Sequence, residues 1–325
     1  MKTALRVWHG LTAVLSVALL MSTALAHAQT MPADEVTQVE DVIVDGAPIR
    51  SEVQRFVGTV AAPAPNRGPA RWDGDLCVGV VNLQTEAAQF MADRISDIGA
   101  ELGLRIGGPG CKPNLVVMAT SDGAALASEL VRTRPREFMV RTGGASLGRE
   151  ALEAFQTSDR PVRWWHVSLP VNEDTGLAAV RLPGQQPFAG GPISRPSDLG
   201  SYGITVMPSR INNEIKDELQ QVLIIVDISR LGQAPFDQVA DYTAMVGLAQ
   251  IDPDVDMSHF QSILNLFRTD EALPSGLTDF DWAYLRGLYE ARQMNISARG
   301  RVGEVAAQME RALRARPTEL NEATP

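Results

Sequence analysis

Two short runs of apolar, β-branched residues, each followed by a helical pattern, constrain the fold more than any other feature. The runs are "LCVGVVNL" (76–83) and "PNLVVMAT" (113–120), and each has the length and composition of a buried strand. Residues 85–104 and 121–132 follow them with apolar side chains at helical spacing. Two β-α units in succession predict helices packed on a sheet, so we expect an α/β fold.

The two cysteines of the chain fall within this β-α-β-α part. Cys77 lies on the first predicted strand and Cys111 lies just before the second. An even pair in an exported protein predicts a disulfide, which would join neighbouring strands and stabilise the fold by roughly 3–4 kcal/mol. The alternative, a catalytic thiol, needs a nearby histidine base, and the chain has only 4 histidines. We therefore interpret the pair as structural.

Export is predicted from the N-terminus. Lys2 and Arg6 precede the apolar run "LTAVLSVALLM", and "ALA" or "AHA" follows as a small-residue cleavage site, so residues 1–28 have the pattern of a signal peptide. The alternative is an uncleaved anchor, but the apolar run is shorter than the roughly 20 residues of a spanning helix. We expect a mature chain without a membrane span, in the periplasm or secreted. A net charge of −10 argues against nucleic-acid partners.

Differences in composition indicate three further segments of the chain. Residues 29–70 are rich in Ala, Pro, Val and acidic residues, which predicts a flexible or weakly ordered N-terminal linker. Within it, residues 36–60 show a β-type alternation. Residues 71–316 are expected to form a single α/β domain, and residues 317–325 a polar tail.

The second half of that domain has strands first and helices later. Trp164 and Trp165 lie in one predicted strand and should point to opposite faces, one buried and the other available for contact. The Gly- and Pro-rich stretch 181–203 predicts a long loop, and we expect it to be a surface for an unknown protein or envelope partner. Strands are predicted at 162–170, 204–211 and 219–231, and helices at 235–250, 279–292 and 299–316.

The predicted helix 235–250 can be aligned with the active-site helix of zinc proteases, but it lacks the zinc ligands. Metzincins carry H-E-x-x-H-x-x-G-x-x-H, in which histidines one turn apart bind zinc and the glutamate polarises the zinc-bound water. In this chain the three histidine positions hold Ala240, Ala244 and Gln250, and the glutamate position holds Asp241. The glycine that turns the chain in metzincins corresponds to Gly247. Only the glycine matches, so no zinc ligand is carried over and no metal or other cofactor is expected.

The segments around this helix carry a resemblance. "VDISRLGQAPFDQVADY" resembles the edge strand that runs into the active helix of zincin-like secreted bacterial proteins, and "LTDFDWAYLRGLYEAR" resembles the segment after that helix. The likeness covers about residues 200–315. The stretch "CVGVVNL…GCKPNLVVMAT" resembles the N-terminal part of uncharacterised secreted proteobacterial proteins. The resemblance implies a zincin-like C-terminal half that lacks the H-E-x-x-H zinc motif.

Three other patterns in the sequence are candidate sites. Residues 144–148 satisfy G-x-S-x-G around Ser146, which makes a hydrolase with His166 as its base an alternative to a Gly-rich turn with a capping serine. A mixed metal site of His166, His259 and a carboxylate is geometrically possible, although the spacing does not favour it. The acidic stretch 252–259 lacks the Gly and Glu of a calcium loop and is interpreted as a turn.

Three hypotheses follow. The first is an exported, catalytically inert zincin-like protein that acts as a binding or envelope-associated module. The second is a secreted hydrolase that uses Ser146 or a non-standard metal site. In the third, the match at 240–250 is a coincidence and that helix is simply part of the core. The first hypothesis makes the protein a non-enzyme, and activity assays decide between it and the second.

Overall fold

The computed structural model describes residues 46–63, 67–138, 147–173, 176, 178, 215–268, 274–293 and 297–315. These residues belong to one compact unit that begins at Asp45. Several predicted features lie outside the described residues, namely the signal peptide 1–28, Ser146, the loop 181–203, the strand 204–211 and the polar tail 317–325.

A mixed sheet of four strands forms the centre of the unit. In sheet order they are β1 (Val78–Val81), β2 (Leu115–Thr120), β4 (Ile215–Asp227) and β3 (Val162–Asn172). β1, β2 and β4 run parallel, and β3 pairs antiparallel with β4 at one edge. The parallel part agrees with the predicted β-α units.

Helices cover both faces of this sheet. On one face lie α1 (Gly46–Val60), α2 (Thr85–Glu101), α6 (Phe236–Leu248), α7 (Asp279–Glu290) and α8 (Ala298–Ala315). On the other lie α3 (Gly123–Thr133), α4 (Pro135–Phe138) and α5 (Arg149–Thr157). Since alternate residues of a strand point to opposite faces, Trp164 enters the first core and Trp165 the second. Both indoles are buried, because both faces are covered, so the expected exposed tryptophan is not found.

The two strand predictions at 76–83 and 113–120 are confirmed in shorter form, and the helix predictions agree with α2, α3, α6, α7 and α8 within a few residues. One topological expectation differs. The strand before α6 was expected at the edge of the sheet, but β4 lies between β2 and β3. Its apolar run Leu223–Val226 has the composition of a strand covered on both faces.

The largest correction concerns residues 46–60, within the predicted linker 29–70, of which residues 29–45 and 64–66 lie outside the described residues. A linker with β-type alternation was expected, whereas α1 spans Gly46–Val60 and its residues Val53, Phe56, Val57 and Val60 are buried. The rings of Phe260, Phe280 and Tyr284 pack around the Phe56 ring at 5.1–5.7 Å between centroids. The spacing of these buried residues is helical, which is the pattern of a helix that packs one face on a core.

The predicted disulfide is present. Cys77 and Cys111 are bonded with 6.1 Å between their Cα atoms, and the bond joins the start of β1 to the loop before β2. A disulfide is compatible with an oxidising compartment outside the cytoplasm. Within the described ranges, no helix has the length and apolar character needed to cross a membrane.

Candidate functional site

Four of the five zinc-protease positions lie on the buried helix α6, and the fifth, Gln250, follows its end. Every residue from Val239 to Leu248 is buried, because α6 is sandwiched between the sheet and the outer helices. Ala240, Ala244 and Gly247 share one face at helical spacing. A Cβ on Gly247 would lie 2.8 Å from Leu115 Cδ1 and 3.3 Å from Ile224 Cδ1, so this face packs on β2 and β4. The small residues let the helix approach the sheet closely.

Gly247 also differs from the glycine of the zinc-protease pattern. That glycine turns the chain, whereas α6 continues through Gly247 and ends at Leu248. The residue therefore acts as a close-packing position inside a helix, and its resemblance to a turn glycine does not extend to its conformation.

Asp241 is held by an arginine from the neighbouring helix α2. Arg94 Nε donates to Asp241 Oδ1 at 2.5 Å and Arg94 Nη2 donates to Oδ2 at 3.1 Å. The backbone N–H of Leu277 also donates to Oδ2, at 3.0 Å. The hydrogen bond to Asp241 raises the pKa of Arg94. A carboxylate that accepts three hydrogen bonds, two of them from one guanidinium, is a structural anchor.

Gln250 makes contacts of the same kind. Its Oε1 accepts from the backbone N–H of Ala70 at 3.2 Å, and its Nε2 donates to Ser168 Oγ at 3.4 Å. Its backbone carbonyl accepts from Ala62 at 3.1 Å. The residue thus fastens the segment after α1 against the end of α6 and β3.

Four ring groups close the C-terminal end of α6. The last carbonyls of a helix have no partner within the helix and need donors from elsewhere. Trp72 Nε1 donates to Gly247 O at 2.9 Å, His166 Nε2 to Val246 O at 2.7 Å, and the Tyr289 hydroxyl to Leu248 O at 2.8 Å. Trp164 Nε1 donates to Ile251 O at 3.0 Å, just beyond the helix. We call these four residues the ring cap.

His166, the base of the hydrolase alternative, belongs to this ring cap, and Ser146 lies outside the described residues. The His166 ring points to α6, on the face of the sheet opposite α5, the helix that follows Ser146 in the sequence. Burial lowers the pKa of His166 to about 4, against the weaker opposing effect of its hydrogen bond to Val246. The side chain is therefore neutral at pH 7, with the Nε2 hydrogen engaged by a carbonyl.

The other metal hypotheses gain no support from the described ranges. There, no group of three or more His, Cys, Asp or Glu residues is arranged to hold a metal ion. In the acidic turn, Asp254 pairs with Arg160, and Asp256 pairs with Arg268 at 2.9 Å. Asp252 accepts from the backbone N–H of Asp254, as in an Asx turn. The interpretation of 252–259 as a turn agrees with these contacts.

A cleft along the outer edge of β3 is the best candidate for a binding site. It has a volume of about 380 Å³. Its floor is formed by four consecutive residues, Arg163 to His166. The side chains of these four residues point alternately to the two buried faces of the sheet. A single cleft can contact all four residues only if it runs along the backbone edge of the strand.

The two walls of the cleft are mostly small and apolar. One wall is α5 with Leu147, and its small residues are Ala151 and Ala154. The other combines residues 61–63 at the end of α1 with residues 251–254 after α6. The charged lining residues are Arg160, Arg163, Asp252 and Asp254, so the formal charges balance. Of these, Arg163 is buried and donates to the carbonyls of Phe155, Gln156 and Ser158 at the end of α5.

A second cleft, of about 460 Å³, lies near His259. Its polar residues include Ser262 and Thr278, which both bond to the buried Asp281. Thr278 and Asp281 form the capping box that begins α7, and Ser262 donates to Asp281 Oδ1 at 2.6 Å. Burial raises the pKa of Asp281. These contacts serve the start of the helix, so we do not choose this cleft as the site.

Sequence reasoning did not find the cleft along β3, because its parts are far apart in the chain. Residues 61–63, 147–166 and 251–254 meet only in the folded molecule. The sequence pointed to this strand only through the pair Trp164–Trp165, because one indole was expected to be available for contact. Both indoles are buried, and the cleft instead follows the backbone edge of the strand. Comparison of the chain with protein-family models, curated proteins and solved structures finds no match.

Proposed function

We infer that the chain is an exported, catalytically inert binding module, and that the cleft along β3 is its binding surface. One observation carries this proposal. The positions that would serve zinc chemistry are filled with groups that hold the core together, namely Ala240 and Ala244 on the sheet, Asp241 on Arg94 and Gln250 on Ala70. A cleft with small apolar walls and few polar groups is suited to binding.

A zincin-like ancestry of the C-terminal half remains part of the proposal. In its favour, α6 follows a strand of the sheet and packs on that sheet, and α7 begins at Asp279, within the segment that carries the resemblance. The inner position of β4 differs from the edge strand of that family. A partner contact through 181–203 stays a prediction, as does export to the periplasm or the medium.

Metal content and hydrolysis test the inert character. We expect near-zero zinc in the mature, untagged protein by elemental mass spectrometry, because the zinc-motif positions on and just after α6 offer at most Asp241, which is already paired. We also expect no peptidase or esterase activity. Stoichiometric zinc, or a hydrolysis that Ser146→Ala abolishes, would contradict the proposal and favour the hydrolase.

A further inference from the structure

The outer edge of β3 presents unpaired strand groups to the cleft. In an antiparallel pair, residues bonded to the neighbour alternate with residues whose N–H and C=O point away. Asp227 N donates to Pro161 O, and in the register of β3 with β4 this places Arg163 and Trp165 among the bonded residues. The backbone groups of Val162, Trp164 and His166 therefore point outward. Within the described part of the chain, no main-chain partner meets them there.

The same edge already makes one main-chain bridge at its other end. Beyond the irregularity between Val167 and Ser168, Val171 forms an antiparallel bridge with Ala178. A turn closed by Gly176 N donating to Asn172 O brings the chain back to that position. β3 is thus able to pair on its outer side, and the pairing found there is antiparallel.

The walls of the cleft leave room for side chains of an added strand. Ala151 and Ala154 on one wall and Ala61 and Ala62 on the other are half-buried and small. A strand beside β3 would point its alternate side chains at these two walls. Arg160 and Asp254 are paired with each other at the lining, and the other two charged lining residues, Arg163 and Asp252, have opposite signs, so the cleft has no net formal charge that would attract a charged partner.

We propose that this cleft binds an extended peptide segment of a partner protein, which joins the sheet as an antiparallel strand along residues 163–166, the part of β3 that lines the cleft. The inference rests on the proposed binding function and specifies its ligand class. Main-chain hydrogen bonds to Trp164 and His166 supply affinity, and the alanine walls select small apolar side chains at alternate positions. The ligand is recognised by conformation and size, with little contribution from charge.

Amide hydrogen exchange of the mature protein tests whether the edge is open. We expect fast exchange at the Trp164 and His166 amides and slow exchange at the Arg163 and Trp165 amides, which pair with β4. Equal protection of all four amides in the free protein would overturn the proposal, because the edge would then be covered by the chain itself or by a second copy. Repeating the measurement at several protein concentrations separates these two occupants.

Peptide binding tests the ligand class. The probe is a pool of random heptapeptides, acetylated and amidated, from which retained peptides are synthesised. We expect them to protect the Trp164 and His166 amides, and we expect methylation of alternate peptide nitrogens to weaken binding by roughly tenfold or more, since a methyl group removes a strand hydrogen bond. Ala154→Gln should weaken binding similarly by filling the cleft. Glu153→Gln, on the exposed side of the same helix, should not.

The outcomes separate this proposal from the proposed function. Peptides that bind equally well after methylation, or to Ala154→Gln, would leave a binding module but refute strand addition. An open edge with no retained peptide would refute the peptide ligand, and the binding function would then need a ligand of another class. Hydrolysis of the peptides would refute the inert character instead.

Discussion

His166 shows how a single buried group links stability to pH. Its folded-state pKa of about 4 lies below the usual value of 6.5, so the unfolded chain binds a proton between these pH values that the folded chain rejects. The contribution to stability is complete above pH 6.5 and is lost as pH falls toward 4. The loss amounts to about 3 kcal/mol.

The corresponding variant is His166→Gln. We expect its free energy of unfolding in urea to fall less than that of the wild type between pH 7 and pH 4.5, because the glutamine has no proton to bind. The exposed His259→Gln serves as the control and should follow the wild type. If His166→Gln retains the full pH dependence, the ring is not held neutral.

Asp217 is a buried carboxylate that lies between two buried arginines. Arg67 Nε donates to its Oδ1 at 2.5 Å, the backbone N–H of Gly68 donates to its Oδ2 at 2.7 Å, and Arg301 lies 3.5 Å away. All three charged side chains are buried. Burial lowers the pKa of Arg67, and the carboxylate opposes that effect. Asp217 therefore balances two guanidinium groups.

We predict that Asp217→Asn lowers the free energy of unfolding by about 3–5 kcal/mol, because it leaves buried positive charge uncompensated. Asp254→Asn removes an ion pair whose carboxylate is 74% exposed and should cost less than about 1 kcal/mol. Urea unfolding of both variants measures the difference. Similar costs for the two would show that the Asp217 cluster is solvated.

At the scale of elements, side chains from distant segments close the ends of helices. The ring cap does this for α6, and Arg163 does it for α5. Arg71 Nη1 donates to the carbonyls of Leu288, Tyr289 and Ala291 at the end of α7. Because these donors come from β3, from the segment before β1 and from α7, helix ends and sheet become one hydrogen-bonded unit.

The crossing of α7 and α8 depends on a glycine. A Cβ on Gly287 would lie 2.7 Å from the backbone N of Met309 and 2.9 Å from the backbone O of Val305. Backbone atoms of a helix do not move aside as a side chain does. We predict that Gly287→Ala destabilises the fold by about 1–3 kcal/mol.

Gly303→Ala is the matched control on α8. The Cβ there would meet nothing within 4 Å, so alanine should stabilise the fold by up to about 1 kcal/mol through its higher helix propensity. Thermal unfolding of both variants gives the comparison. A Gly287→Ala variant as stable as the wild type would mean that the two helices separate at little cost.

At the scale of the whole molecule, the disulfide links parts that are 34 residues apart in sequence. The loop it closes contains α2, so the bond restricts the unfolded chain around the first β-α unit. We expect the double variant Cys77→Ser, Cys111→Ser to lose about 4 kcal/mol of stability on the chain-entropy account.

Chemical reduction of the wild type supplies the control, since it breaks the bond without changing the side chains otherwise. Both should shift the urea midpoint by similar amounts. A reduced protein as stable as the oxidised one would show that the sheet constrains these segments without the bond.

Patterns in the sequence were sufficient to predict the α/β class, the two β-α units, the disulfide pair and five of the helices, because apolar periodicity and cysteine number are read without knowing the fold. It misassigned residues 46–60, although their helical spacing of apolar residues was readable. The packing roles of Gly247, Asp241 and Gln250, the ring cap and the inner position of β4 are visible only in the folded molecule. Each of these features, like the cleft along β3, depends on contacts between segments that are far apart in the sequence. A local sequence pattern carries no information about such contacts.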